Sequence, residues 1–369
     1  MSGAGVPDFG VGGDDEPESE VDEEPERDLV MELEDVSVQF DMSRGIARVL
    51  DSIDLNVYRG ETIGVVGESG SGKSMLAASM LDAVVEPGVL SGDITYHSDT
   101  TGNEIDVLDL SDDDLRRFRW EAVAMVFQGA MNSFNPVMTI REHFRETLDA
   151  HDANDEEHMD RGLQLLEDLY LEADRVLDSY PHELSGGQKQ RALIALSLIL
   201  EPEVLVMDEP TAALDLLMQR SIIELLQDLQ DTYDFTLVFI THDLPLVKDL
   251  CDRLGVMYAF ELVEIGETRD VIGGSYHPYT RALLNATPNL DTPIDEMRPI
   301  PGESPDPVNV PAGCSYHPRC PLKDQRCEAE DPNLVEAEEN HRVACFYWDD
   351  VDGTIPLNIS GADGGNDDE

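Results

Sequence analysis

Lysine is almost missing from this chain, with four among 369 residues, and the 24 basic residues together face 79 acidic ones. A formal net charge of −55 leaves no basic footprint for a phosphate backbone, which argues against nucleic acid as a direct partner. Nowhere does the sequence offer the ~20 uninterrupted apolar residues that a membrane span requires. The N-terminus lacks the basic and apolar regions of a secretory leader. These absences predict a soluble, cytosolic chain. Cysteine is scarce as well, with five residues, and in that compartment structural disulfides are not expected.

What is present begins with acid. Carboxylates fill both tails and also crowd the body, as between residues 152 and 160. This balance resembles that of proteins from salt-accumulating halophiles, where molar salt shortens the Debye length to about 3 Å and quenches self-repulsion. Residues 1–28 are too polar to bury a core and are expected to be a disordered acidic tail, and residues 351–369 form a second acidic tail, expected to be disordered from Gly361 on. The whole chain is 41% hydrophobic and 369 residues long, enough for one large domain with an appendix or for two domains.

The strongest local signal is Gly67-Glu68-Ser69-Gly70-Ser71-Gly72-Lys73-Ser74. It follows Thr62-Ile63-Gly64-Val65-Val66, a β-branched run suited to a strand buried on both faces. It precedes Met75-Leu76-Ala77-Ala78, which reads as helix. Glycines there let successive N–H groups converge on phosphate oxygens, and the helix dipole points the same way. In such a loop Lys73 reaches the β- and γ-phosphates, and the Ser74 hydroxyl ligates Mg²⁺.

Further along, Val204-Leu205-Val206-Met207 and Thr236-Leu237-Val238-Phe239-Ile240 read as buried strands, and residues 30–40 and 49–57 as an antiparallel layer. Residues 111–177 read as a helical insertion, with Leu163, Leu165, Leu166, Leu169 and Leu171 at helical spacing. Strands alternating with helices imply an α/β doubly wound parallel sheet with ligands at the strands' carboxyl ends. Asp208 ends one such strand, where a carboxylate can hold Mg²⁺ through its water shell. Glu209 follows and is placed to orient and deprotonate an attacking water.

The order of phosphate loop, Phe127-Gln128, Leu184-Ser185-Gly186-Gly187-Gln188, Asp208-Glu209-Pro210-Thr211, Ala213-Leu214-Asp215 and Thr241-His242-Asp243 is similar to that of ATP-binding cassette ATPases. The resemblance covers about residues 29–284. It implies a P-loop nucleotide-binding domain with a parallel core sheet, an antiparallel β-layer and a helical subdomain at about 129–200. It further implies that Gln128 touches Mg²⁺ and the attacking water, that His242 meets the γ-phosphate, and that Asp215 crosses a dimer interface. Phe40 is the candidate for stacking on adenine. Ser185, Gly187 and Gln188 open a helix and suit a phosphate, but in this fold family they act on the ATP of a second copy or a paralogue. Two cassettes therefore sandwich two ATP.

After the core come His277-Pro278-Tyr279, then Ile300-Pro301-Gly302-Glu303-Ser304-Pro305, then Cys314, Cys320, Cys327 and Cys345. Four cysteines within 32 residues favour a metal or cluster over disulfides. Residues 285–350 resemble the C-terminal extension of oligopeptide and dipeptide importer ATPases. Members with four such cysteines are associated with a [4Fe-4S] cluster, and four thiolates also suit zinc. Cys251 stands apart and reads as a buried small residue. The resemblance implies two integral-membrane permease subunits, an extracytoplasmic solute-binding protein, and work at the cytoplasmic face of the membrane. Asn132-Ser133-Phe134-Asn135-Pro136-Val137-Met138-Thr139-Ile140, after Gln128, resembles the same branch. The alternative is a soluble cassette ATPase in a process such as repair or iron–sulfur cluster assembly.

Overall fold

The computed structural model describes residues 27–99, 101–129, 133–153, 156–212, 214–286 and 300–357. The tails expected to be disordered, Asn132 and Ala213 fall wholly or largely outside them. Along the described chain run the strands β1 (Leu29–Met42), β2 (Gly45–Tyr58), β3 (Thr62–Val66), β4 (Gly88–His97), β5 (Glu104–Asp106), β6 (Val123–Val126), β7 (Val204–Asp208), β8 (Thr236–Ile240), β9 (Arg253–Tyr258), β10 (Glu261–Glu267), β11 (Val335–Glu338) and β12 (His341–Val343).

They form two sheets. The first has the order β2-β1-β4-β5 and is antiparallel throughout, as the patterning of residues 30–57 predicts. The second has the order β11-β12-β10-β9-β3-β8-β7-β6. Every residue of β3, β7 and β8 is buried, which explains their largely apolar composition.

The period of two divides that apolar set between two cores. Val204, Val206, Val238 and Ile240 face the antiparallel layer with Ile63 and Val65. Leu205, Met207, Leu237 and Phe239 face the opposite side, where the helices pack. Leu165, Leu166 and Leu169 join this second core. Their helix stops at Asp168, short of the stretch read from the sequence, and Tyr170 turns the chain with φ 54°.

Two features correct the sequence reading. The sheet is mixed: β9, β3, β8, β7 and β6 are parallel, whereas β10, β12 and β11 run antiparallel to their neighbours. The last two belong to the C-terminal extension, so that segment continues the core sheet. Secondly, β6 lies inside the stretch read as a helical insertion. Four apolar residues are too few to show a period, and they follow a helical turn broken at Arg119 and Trp120.

Candidate active site

The phosphate loop leaves β3 and enters the helix Lys73–Ser79. Its glycines are imposed by space. A Cβ on Gly67 would come within 2.2 Å of the Met257 carbonyl oxygen, and one on Gly72, at φ 107°, within 2.7 Å of the Val49 carbonyl oxygen. Gly72 occupies the N-cap position without a side-chain cap, which leaves the first N–H groups open to an anion.

Lys73 is buried and its Nζ donates to the carbonyls of Gly67 and Glu68 at 2.9 and 3.0 Å. Burial lowers its pKa, opposed by the nearby carboxylates of Glu209, Asp208 and Glu68. Ser71 Oγ is buried with no partner. Ser69 and Gly70 complete the turn, with Gly70 at φ 82° and open space where a Cβ would point.

Asp208 ends β7 almost wholly buried. Burial raises its pKa, a hydrogen bond with Ser74 lowers it, Glu209 raises it and Lys73 lowers it. Its Oδ1 has no hydrogen-bond partner. An orphaned buried carboxylate oxygen beside a serine hydroxyl fits the oxygen-rich ligand set of Mg²⁺.

Glu209 takes a left-handed backbone conformation, φ 47°, while its N–H donates to the Ile240 carbonyl at 2.9 Å. Strain of this kind in a non-glycine residue collects at functional sites. The carboxylate is bracketed: Gln128 Nε2 donates to Oε2 at 2.7 Å, and His242 Nδ1 lies 3.1 Å from Oε1. Three residues from the ends of β6, β7 and β8 thus converge on one carboxylate, as a water-activating acid requires.

The Ser185 segment is built differently. Ser185 caps the helix Gly186–Ser197 in a reciprocal box, its Oγ accepting from Gln188 N–H at 3.3 Å and its N–H donating to Gln188 Oε1 at 3.0 Å. Asp215 caps the helix Leu216–Tyr233 by accepting from Met218 N–H. The two helix starts adjoin, since a Cβ on Gly187 would meet Met218 Cε at 2.6 Å. Among the described residues no hydrogen bond joins this segment to the Lys73 loop. Phe40 sits in β1 with its ring over Gly88, where a Cβ would come within 2.7 Å of it.

The cysteine segment brings Cys314, Cys320, Cys327 and Cys345 close enough for their charges to interact. Burial pushes the Cys314 and Cys345 thiols up to about 12, and raises that of Cys320. Among the described residues, however, no group of three or more His, Cys, Asp or Glu side chains stands in ligating geometry. The donor chemistry suits a soft metal, but the geometry lends no support to the expected [4Fe-4S] cluster or to zinc, and no chemistry is routed through either. Cys251 is buried against Gly64, as expected of a small core residue.

Sequence reasoning missed the partners of Glu68. Its N–H donates to the Tyr279 hydroxyl at 2.8 Å, and its carboxylate receives Arg319. Both partners lie beyond the cassette motifs, and no local pattern marks them.

Among known proteins, residues 50–212 match the family described as ABC transporter, and residues 263–327 match that described as oligopeptide/dipeptide transporter, C-terminal region. The dipeptide transport ATP-binding protein DppD of Caldanaerobacter subterraneus subsp. tengcongensis is 36% identical over 325 residues, covering 87% of this chain and 98% of the relative. The oligopeptide transport ATP-binding protein OppD of Escherichia coli K12 is 37% identical over 321 residues, covering 86% and 93%. The dimeric structure of MJ0796, a bacterial ABC transporter cassette, aligns with a TM-score of 0.56 at 29% identity over 65% of this chain and 99% of that one.

Proposed function

Because this chain belongs to the oligopeptide/dipeptide branch of the ABC transporter ATPases, we propose that it hydrolyses ATP to drive import of short peptides or a related solute through two integral-membrane permeases. The observation that carries the hydrolytic step is Glu209 held between Gln128 and His242 within the electrostatic reach of Lys73. The transport role rests on the relatives and on the match across residues 263–327.

The residues divide the work. The Gly67–Ser74 loop cradles the phosphates, Lys73 supplies the point charge, and Phe40 stacks on adenine. Mg²⁺, when bound, neutralises charge building on the phosphate oxygens; Ser74, Asp208 and Gln128 would hold it. Glu209 orients the attacking water and takes its proton, and His242 faces the γ-phosphate. Ser185, Gly187, Gln188 and Asp215 face the nucleotide of a second cassette, a copy or a paralogue, so two ATP close the pair.

No described helix is long and apolar enough to cross a membrane, and the relatives support docking on membrane permeases. By the family reading the chain works at the cytoplasmic face, with a solute-binding protein delivering cargo from outside. The four cysteines enter as a candidate metal-binding set, supported by their proximity alone. Visible absorbance and metal analysis after anaerobic purification distinguish iron–sulfur, zinc and free thiols. The transport reading is tested by capturing the tagged chain from membranes and measuring ATP-dependent uptake of labelled peptides by the reconstituted complex. Capture without permeases, or peptide uptake indifferent to ATP, would overturn it.

A further inference from the structure

The phosphate loop is gripped from outside the cassette core. Arg319 stands between Pro318 and Cys320, yet its guanidinium reaches Glu68, the second residue of the loop. Nη1 donates to Oε2 at 2.7 Å and Nη2 to Oε1 at 3.1 Å. The Arg319 side chain is 5% exposed and that of Glu68 25%. Tyr258 and Tyr316 flank the guanidinium with ring centroids at 5.6 and 5.9 Å, and Arg319 Nε donates to the Pro301 carbonyl at 2.6 Å. Two further contacts reach the same loop residue. The Ser304 hydroxyl lies 3.2 Å from Glu68 Oε2, and the Tyr279 hydroxyl accepts from Glu68 N–H at 2.8 Å.

An exposed ion pair in this position would contribute little. This one is forked, mostly buried and packed against two tyrosine rings, conditions under which arginine fixes a carboxylate in one orientation. Its position matters as much as its strength. An unpaired Glu68 carboxylate at the mouth of a triphosphate site would repel the ligand and compete for Lys73, whose Nζ already bonds the Glu68 carbonyl. Arg319 removes that competition by engaging the carboxylate from behind.

We propose that Arg319 is a positioning residue for ATP: by clamping Glu68 it holds the phosphate loop in its binding shape and ties nucleotide affinity to the C-terminal cysteine segment that carries it. The proposal rests on the reading of Gly67–Ser74 as the ATP site.

The test uses the full chain in high salt, with Mg-ATP turnover and binding of a non-hydrolysable ATP analogue as separate readouts. Lys73→Ala tests the underlying reading: it should lose analogue binding, and wild-type binding in that variant would remove the site itself. Arg319→Met should raise KM and the analogue Kd by roughly tenfold, the ordinary scale of coupling between sites, while kcat stays within about twofold because Glu209, Gln128 and His242 are untouched. The double variant Glu68→Met/Arg319→Met, which removes both charges, should recover much of that loss. A purely structural role would instead lower kcat with the folded fraction and show no such recovery. Melting of the nucleotide-free proteins separates the two. Where Arg319→Met does not fold, Arg319→Lys, which keeps the charge but not the fork, should raise KM severalfold. Unchanged KM and Kd in the folded Arg319 variant, alongside a binding-dead Lys73→Ala, overturn the proposal and leave the ATP site standing.

Discussion

Gln128 donates to Glu209 across 2.7 Å, joining the point where the chain leaves β6 for the helical region to the acid at the end of β7. One hydrogen bond thus links the acid to the strand end from which the chain enters that region.

Glu209→Gln keeps the shape and the hydrogen bond to Gln128 but removes the base. Turnover should fall by about 10²–10⁴-fold while ATP still binds, and the ATP-bound dimer should accumulate. Phosphate release and size-exclusion chromatography with ATP measure both. Wild-type turnover would take Glu209 out of the role assigned to it.

Gly72→Ala should be costly in a way that Gly70→Ala is not. Both positions have a left-handed backbone, but only at Gly72 does the added methyl also meet the Val49 carbonyl oxygen, at 2.7 Å, whereas Gly70 has open space. A loss of roughly 1–3 kcal/mol of stability is expected at Gly72, together with weaker ATP binding. Chemical denaturation of both variants checks the contrast.

How far the sequence showed all this depends on the reach of each signal. The β3 and β7 strands were legible because five consecutive buried positions leave a largely apolar run, and Asp208 and Glu209 were legible from their place at a strand end. Gln128 and His242 gained meaning only through order along the chain. The Arg319–Glu68 pair was not legible, since its members lie 251 residues apart and meet only once the extension folds back. β6 was hidden by brevity, and β12 by being three residues that pair with a distant strand.

Stability should fall as pH rises from the weakly acidic range to about 8. Glu261 is pushed up to about 8 by burial first and by Asp331 second, from an ordinary 4.5, with the Ser315 hydrogen bond opposing. A carboxyl raised in the folded state favours folding while both states are protonated, below about 4.5, and that contribution drains away as pH climbs to about 8. Glu261→Gln should flatten this slope and raise the melting temperature near pH 9 relative to the parent. Thermal melts across pH 6–9 in constant salt report it, and parallel curves for the two proteins would contradict the assignment.

Salt should decide whether the chain folds at all. With 79 acidic and 24 basic residues, dilution from molar salt to about 0.1 M lengthens the Debye length from about 3 to about 10 Å and restores self-repulsion. Circular dichroism should show loss of structure on dilution, and ATPase activity should vanish with it. Full activity in dilute buffer would contradict a salt-dependent fold.

The pairing of β12 on β10 has one more consequence. Glu264 of β10 is fully buried, bonded to His341 of β12 at 2.9 Å and to the N–H groups of Tyr276 and His277. The sheet's rim is therefore β11, four residues carrying Glu336 and Glu338, the kind of charged border that deters stray strand pairing. Trimming the extension would move that rim inward to β10, a largely buried strand with its hydrogen-bonding edge bare and a carboxylate stripped of its histidine. The segment that carries the cysteines is thus also the guard that keeps the ATPase sheet from recruiting strands of other molecules.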